Sequence, residues 1–361
     1  MKPPLKRAGL EGTLAKAEDG DPLSEAEIVG LLSVEEEVER EALFATARRI
    51  RDRHTGDLIF LYGFIYLSTF CRNDCHFCYF RKSNPQSIRY RKSHHQVVEA
   101  AQKLADSGVH LIDLTMGEDP VYHADGDMGS LATLVASVRE ATGLPVMVSP
   151  GQVGKEALRL LKGSGASWYA CYQETHNRSL FREIRPGQDF DDRMEGKRVA
   201  RELGLLTEEG ILSGVGEDPR DIARSLAVMG ETGSDQVRVM SFVPQEGTPL
   251  SDRRPGDPGE ELKIMAVMRL LFPDRLIPAS LDISGLEGLR ERLHAGANVI
   301  TSLVPPGEGL AGVAQNHLDI DEARRTVSRV EPILAEWGLA KATPEGYRGW
   351  VEERMGRTLG G

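Results

Sequence analysis

From Leu58 onward, short apolar runs alternate with amphipathic stretches, and this alternation limits the chain to few architectures. The first run, Leu58–Leu67 (LIFLYGFIYL), reads as a strand. Further strands are expected at His110–Thr115, Val146–Ser149, Ser167–Tyr172, Leu205–Leu212, Gln236–Phe242, Leu276–Leu281 and Asn298–Ser302. Between them the helical period predicts His94–Ser107, Ser130–Ala141, Gly151–Lys162, Asp189–Leu203, Ile222–Glu231, Glu260–Leu271 and Leu286–His294, with Asp319–Trp337 as the last helix. Strands alternating with helices indicate a parallel sheet. Eight such units predict the α/β class and a (βα)8 barrel, in which chemistry sits on the loops after strand C-termini.

The flanks read differently. Residues 1–20 are charged and irregular, a loose lead-in. Residues 21–53 read as helices, opened by a Ser24 cap before Ile28, Leu31 and Leu32 and continued from Val34 to Ile50. The expected organisation is an N-terminal helical extension over 1–53, a barrel over 54–340 and a tail over 341–361.

Composition excludes several classes. A net charge of −11 argues against nucleic acid or an anionic membrane as the main partner, since both reward basic surface. Of four cysteines, three lie in one motif, which leaves only Cys171 and rules out a disulfide framework. Neither a signal core nor a run of spanning length is present, so a soluble, cytoplasmic protein is expected.

The motif is Cys71-Arg-Asn-Asp-Cys75-His-Phe-Cys78, placed just after the first strand. Iron–sulfur clusters usually take four cysteine ligands, and here a fourth is missing locally. A cubane on Cys71, Cys75 and Cys78 would therefore keep one iron open to a small molecule. The competing reading is a zinc knuckle completed by His76 or His94, although zinc sites favour two ligand pairs at longer separation.

Nearly every expected strand ends in polar or small residues: Asp113, Thr115, Gly117 and Glu118; Ser149; Tyr172, Gln173 and Glu174; Gly214, Gly216 and Glu217; Arg238 and Ser241; Ser280 and Asp282; Thr301 and Ser302. At a barrel mouth such groups are costly to desolvate unless something answers them. Asp113 with Arg238 reads either as a substrate clamp or as a buried ion pair, and Arg193 either as a ligand clamp or as a surface charge. The backbone carbonyls of Gly117-Glu118-Asp119-Pro120 suit an ammonium, and Gly214-Val-Gly216 lets backbone approach a flat ring. Glu174 and Arg193 suit the amino and carboxylate ends of an amino acid.

The cysteine loop, together with GEDP, YQET, ILSGVGEDP, VRVMSFVPQEGTPL, RLIPASLDISG and AGANVITS, resembles the methylornithine synthase family of pyrrolysine biosynthesis, within the radical S-adenosylmethionine (SAM) superfamily. The resemblance spans roughly residues 21–340. More distantly, YQET and DFDDR are similar to the biotin-synthase and hydrogenase-maturase branch. Biotin synthase needs further cysteines for a second cluster, so Cys171 reads as a small buried hydrophobe.

The resemblance implies a [4Fe–4S] cluster on Cys71, Cys75 and Cys78, with SAM chelating the fourth iron. It places Phe77 near the adenine and Glu174, Arg193 and Ser149 on the methionine part. Asp113, Arg238, Ser280 and Asp282 would grip the amino-acid substrate, with Thr301 and Ser302 beside them. The implied reaction is isomerisation of L-lysine to (3R)-3-methyl-D-ornithine through Cα–Cβ fragmentation and recombination. An external electron donor such as flavodoxin or ferredoxin is the implied partner.

Overall fold

The structure is a computed structural model that describes residues 7–124, 126, 128–307 and 324–360. Eight parallel strands build the barrel: β1 (Leu58–Ser68), β2 (Leu111–Met116), β3 (Val146–Ser149), β4 (Ala166–Ala170), β5 (Leu206–Ser213), β6 (Gln236–Ser241), β7 (Pro278–Ser280) and β8 (Val299–Leu303). They pair in the order β6-β5-β4-β3-β2-β1-β8-β7. A bridge between Gln236 and Leu276 joins the two ends, so the barrel is nearly closed.

Helices α1 (Arg7–Glu18), α2 (Glu25–Leu32) and α3 (Glu37–Thr55) precede the barrel. Around it run α4 (His94–Ser107), α5 (Gly129–Thr142), α6 (Lys155–Gly163), α7 (Arg178–Ile184), α8 (Phe190–Glu202), α9 (Pro219–Glu231), α10 (Pro258–Leu271), α11 (Leu289–His294) and α12 (Val327–Glu336). A two-residue strand, β9 (Ala340–Lys341), and helix α13 (Pro344–Gly360) follow.

Local chemistry explains most boundaries. Ser24 and Glu27 form a capping box at α2, and Ser93 with Gln96 does the same at α4, which Gly108 ends in the left-handed conformation. Asp218 caps α9 with Pro219 at its first turn, where the missing proline N–H costs nothing. Two expectations need correction. The lead-in is not irregular throughout, because Arg7–Glu18 is helical and buries Leu10, Leu14 and Ala17 on the main core. Asn177 caps α7, a helix the periodicity does not reveal because it is only seven residues long. The helix expected at Asp319–Trp337 begins outside the described residues, and its described part is helical from Val327 to Glu336.

Side-chain parity along the strands sorts the interior. On β1, Ile59, Leu61, Ile65 and Leu67 face the helices, whereas Phe60, Tyr62, Phe64 and Tyr66 belong to two separate inner clusters. The lower interior is apolar: Phe60, Leu111, Met147, Trp168, Leu206 and Val299 pack on Tyr347 and Val351 of α13. Trp350 stacks on Trp168 with ring centroids 5.9 Å apart, and the Tyr347 hydroxyl donates to Tyr62 Oη at 2.8 Å. The C-terminal helix thus plugs the base of the barrel and leaves the polar layer at the opposite end. Tyr347→Ala is expected to cost about 3–5 kcal/mol of folding stability, against about 1 kcal/mol for Tyr347→Phe, both read from urea unfolding. Equal, small losses would mean the plug does not support the barrel.

Candidate active site

The cysteine loop leaves the mouth end of β1 and is held from several sides. The amide of Arg72 donates to Glu118 O at 2.9 Å, and the amide of His76 donates to Ile184 O at 2.8 Å. Asp119 anchors the base of the loop, accepting from Ser68 Oγ at 2.5 Å and from Arg91 Nε and Nη2 at 2.7 and 2.8 Å. Gly117 must be glycine, since a Cβ there would lie 2.5 Å from Phe70 O and 3.0 Å from Cys71 Cβ. GEDP is therefore a packed brace for the loop. Two of its carbonyls already accept one bond each, Gly117 O from the Asp119 amide and Glu118 O from the Arg72 amide, and each keeps a second acceptor site.

Cys75 is buried, while Cys71 and Cys78 are half-buried. Cys75 Sγ receives Gln188 Nε2 at 3.0 Å and Arg185 Nη1 at 3.5 Å, and Cys71 Sγ receives the Asn73 amide at 3.4 Å. Burial, reinforced by the charges of Cys75 and Cys71, pushes the Cys78 thiol up to about 12. Burial likewise raises Cys71. Turning clustered thiols into thiolates here needs cationic charge beside them, which a metal centre supplies. Among the described residues no three His, Cys, Asp or Glu side chains close on one point, the arrangement a single ion takes. A cubane instead takes each cysteine on a different iron. His94, one of the zinc candidates, is exposed at the start of α4.

Two ion pairs lie beside the loop. Arg185 Nη2 meets Glu174 Oε1 at 2.6 Å, and Arg193 Nη1 meets Glu118 Oε1 at 3.3 Å. Glu118 also accepts from Arg72 Nε at 2.9 Å and from the Gln152 amide at 3.1 Å. Burial alone would raise the Glu118 carboxyl, but Arg193, Gln152 and Arg72 outweigh it and hold it below the usual range. Arg193 is 4% exposed, so it is not the surface charge the sequence left open. The Nε atoms of Arg185 and Arg193 are buried without a partner among the described residues, which suits an anionic group arriving between them. Glu174 has φ +67°, a left-handed backbone for a non-glycine residue, fixed by its amide on Gly210 O and its carbonyl on the Leu212 amide.

Phe77 packs against a small apolar cluster of Leu180, Ile184, Val215 and Phe242. The Gly214-Val-Gly216 turn reaches it with both glycines at positive φ. The three amides of that turn are all taken by the Glu217 carboxylate, at 2.5 to 2.9 Å, so the turn offers an apolar shelf rather than free donors.

Deeper in the mouth sits a charged layer. Arg238 Nε donates to Glu208 Oε1 at 2.7 Å, and Arg238 Nη1 donates to Thr301 Oγ1 at 3.3 Å. The Tyr172 hydroxyl donates to the other oxygen, Glu208 Oε2, at 2.9 Å. Arg238 is therefore paired with Glu208, not with Asp113 as the ion-pair reading had it. Asp113 accepts from Thr115 Oγ1 at 2.9 Å and Ser149 Oγ at 3.4 Å. Burial, with the Glu208 charge adding to it, pushes the Asp113 carboxyl up to about 7. Asp282 accepts from Ser280 Oγ at 3.0 Å, Ser302 Oγ at 2.7 Å and Arg325 Nη1 at 3.2 Å.

A bulge explains how Thr301 and Ser302 both face inward. The β1–β8 register slips between the pairs Leu61–Ile300 and Gly63–Leu303, and Ser302 takes φ +67°. Sequence reasoning missed Glu208 and Arg185. Glu208 was findable, since it shares inward parity with Leu206 and Gly210 on β5. Arg185 was not, because its helix was unread. Cys171 packs in the core outside the barrel, as expected of a small hydrophobe.

A cavity of about 200 Å³ joins these parts: Phe77, Cys78 and Glu174 line it together with Tyr172, Arg238 and Asp282. A cysteine loop above the first strand of a parallel barrel, opening on a charged cavity, is the layout of a radical SAM enzyme. The Radical SAM superfamily pattern matches residues 65–229. A 3-methylornithine synthase of Methanosarcina barkeri strain Fusaro is 43% identical over 327 residues, covering 91% of this chain and 93% of that protein. The [FeFe] hydrogenase maturase subunit HydE of Thermotoga maritima is 34% identical over 272 residues, 74% of this chain and 77% of that protein. The crystal structure of methylornithine synthase (PylB) superposes with a TM-score of 0.89 at 42% identity, covering 93% of this chain and 99% of that one. The chain belongs to the methylornithine synthase family of radical SAM enzymes. Its cofactors are a [4Fe–4S] cluster and SAM. Among the described residues no helix is long and apolar enough to cross a membrane.

Asp113 gives a pH test. Its folded pKa lies above the unfolded value of about 3.9, so the folded state keeps a proton that the unfolded state loses. Stability from this group therefore falls as pH rises from about 4 to about 7. Asp113→Asn removes the titration. The variant should gain on the order of 2 kcal/mol over wild type between pH 5 and pH 8, measured by urea unfolding at both pH values. A pH-independent difference would show that Asp113 ionises freely in the folded protein.

Proposed function

We propose that this enzyme isomerises L-lysine to 3-methylornithine, holding the amino acid across the barrel mouth beneath SAM. The observation that carries this reading is the continuity of one cavity from Phe77 and Cys78 to Arg238 and Asp282. When bound, the cluster and SAM supply a 5′-deoxyadenosyl radical that takes hydrogen from the substrate. Cys71, Cys75 and Cys78 would hold the cluster, with Gln188 and Arg185 donating to Cys75. Arg193, Arg185, Glu174 and Glu118, with Gly117 and Ser149 nearby, would take the amino and carboxylate groups of SAM. The Phe77 shelf beside Val215, brought there by Gly214 and Gly216, would take its adenine. The electron would come from a small external electron-transfer protein.

The protein's own residues position and confine. Arg238 offers a terminal guanidinium edge to a carboxylate, with the Thr301 hydroxyl alongside. Asp113 and Asp282, the latter steadied by Ser280 and Ser302, answer ammonium groups. Charge matching supports a substrate with two ammonium groups. Arg238 offsets Glu208, and Arg325 offsets Asp282, so Asp113 decides the sign of the mouth. A carboxyl near 7 ionises readily once a cation faces it, and lysine brings one net positive charge. Lysine and 3-methylornithine are isomers, so the reaction as a whole needs neither water nor a second substrate, and a dry mouth suits it.

The test is anaerobic: cluster-loaded, reduced protein with SAM and L-lysine, analysed by chromatography and mass spectrometry. A lysine-dependent product of unchanged mass and new retention is expected, and norleucine, which lacks the side-chain ammonium, should give none. Deoxyadenosine without the isomer would keep the radical class and overturn the substrate.

A further inference from the structure

Arg238 is a buried cation whose free end must point into the cavity to meet a carboxylate, and a guanidinium on a flexible stem does not hold a direction unaided. On β5, Glu208 is fully buried at inward parity, two residues before Gly210, which pairs with Arg238 on the neighbouring strand. Its two oxygens are divided: Oε1 takes Arg238 Nε at 2.7 Å and Oε2 takes the Tyr172 hydroxyl at 2.9 Å. Tyr172 in turn lies beside the guanidinium, 5.6 Å from ring centroid to Cζ, and its ring packs over Gly210, where a Cβ would come within 2.9 Å. The inner edge of Arg238 is thus fixed. At its outer edge Nη1 reaches Thr301, while Nη2 has no hydrogen-bond partner among the described residues, and Arg238 lines the cavity.

We propose that Glu208 is a positioning residue for substrate binding: it locks the Nε edge of Arg238 and, through Tyr172, the wall beside it, so that the outer edge faces the substrate carboxylate. This rests on the reading of a lysine-like amino acid as substrate. Glu208 also spares Asp113. With Glu208 neutral, the buried carboxylates left to compensate Arg238 are Asp113 and Asp282, and pairing with either would occupy two substrate anchors at once. A carboxylate is needed here for its charge as well as its shape.

The test compares wild type, E208Q and Y172F as cluster-loaded, oxidised protein with SAM bound, so that no turnover occurs. L-lysine and SAM affinities are measured anaerobically by calorimetry, and kcat and KM for lysine are then taken on reduced protein. For E208Q the expected result is at least a tenfold weaker lysine affinity and a matching rise in KM, with SAM affinity within about twofold of wild type. A merely structural role would weaken both ligands together. Y172F, which removes one hydroxyl and keeps the ring, should weaken lysine about threefold to tenfold; it carries the test if E208Q does not fold. Wild-type lysine affinity in a folded E208Q, or in Y172F where E208Q does not fold, overturns this inference alone. A wild type that binds no lysine overturns the substrate reading and this inference together.

Discussion

Side chains on the strands of a closed parallel barrel face either the helices or the interior, and a charge that faces inward has no bulk water to answer it. That constraint orders this molecule. Its lower interior satisfies the constraint with apolar side chains capped by α13. Its upper interior satisfies it with ion pairs: Arg238 with Glu208, Arg325 with Asp282, and, nearer the cysteine loop, Arg185 with Glu174 and Arg193 with Glu118. Each pair is buried, so each loses hydration that its mutual attraction only partly restores. Concentrating several of them in one mouth makes little sense for stability and good sense for a site that must grip a zwitterion.

The pairs divide into two storeys with different tasks. The upper set reaches Cys75 through Arg185 and leaves two arginine Nε atoms without partners among the described residues. The lower set leaves Arg238 Nη2 without a hydrogen-bond partner among the described residues and Asp113 with a carboxyl poised near neutrality. A charged amino acid entering between them would complete both storeys. Radical chemistry on that amino acid requires that nothing else be within reach, and here confinement follows from the same burial that makes the charges expensive.

Much of this was legible in the sequence. The β1 and β3 runs and α4 fell within a residue of their observed limits, because strong capping or turn chemistry bounds them. The cysteine spacing and the polar strand ends pointed to the end of the barrel where the structure gathers these residues. What escaped has physical reasons. Helix α1 carries too weak an apolar stripe to stand out from charged sequence, yet three buried contacts hold it. The inward turn of Ser302 depends on a bulge, a register event that no local pattern encodes. Pairing among charges was the weakest part: Arg238 was matched with Asp113 because both were visible, whereas its partner Glu208 lay inside a strand beside Glu209. Two adjacent glutamates on one strand look alike in sequence, but parity sends Glu208 into the mouth and Glu209 outward to Lys197 and His176.

If the mouth holds the amino acid at both ends, the two pieces formed by breaking its Cα–Cβ bond must rejoin before either escapes. The most direct measurement is a crossover experiment: reduced, cluster-loaded enzyme given SAM and an equal mixture of unlabelled and uniformly ¹³C,¹⁵N-labelled L-lysine. The account expects product of only two masses, fully labelled and unlabelled, even at many turnovers. Product of mixed mass would mean that fragments exchange with solution, and would contradict a site built for confinement.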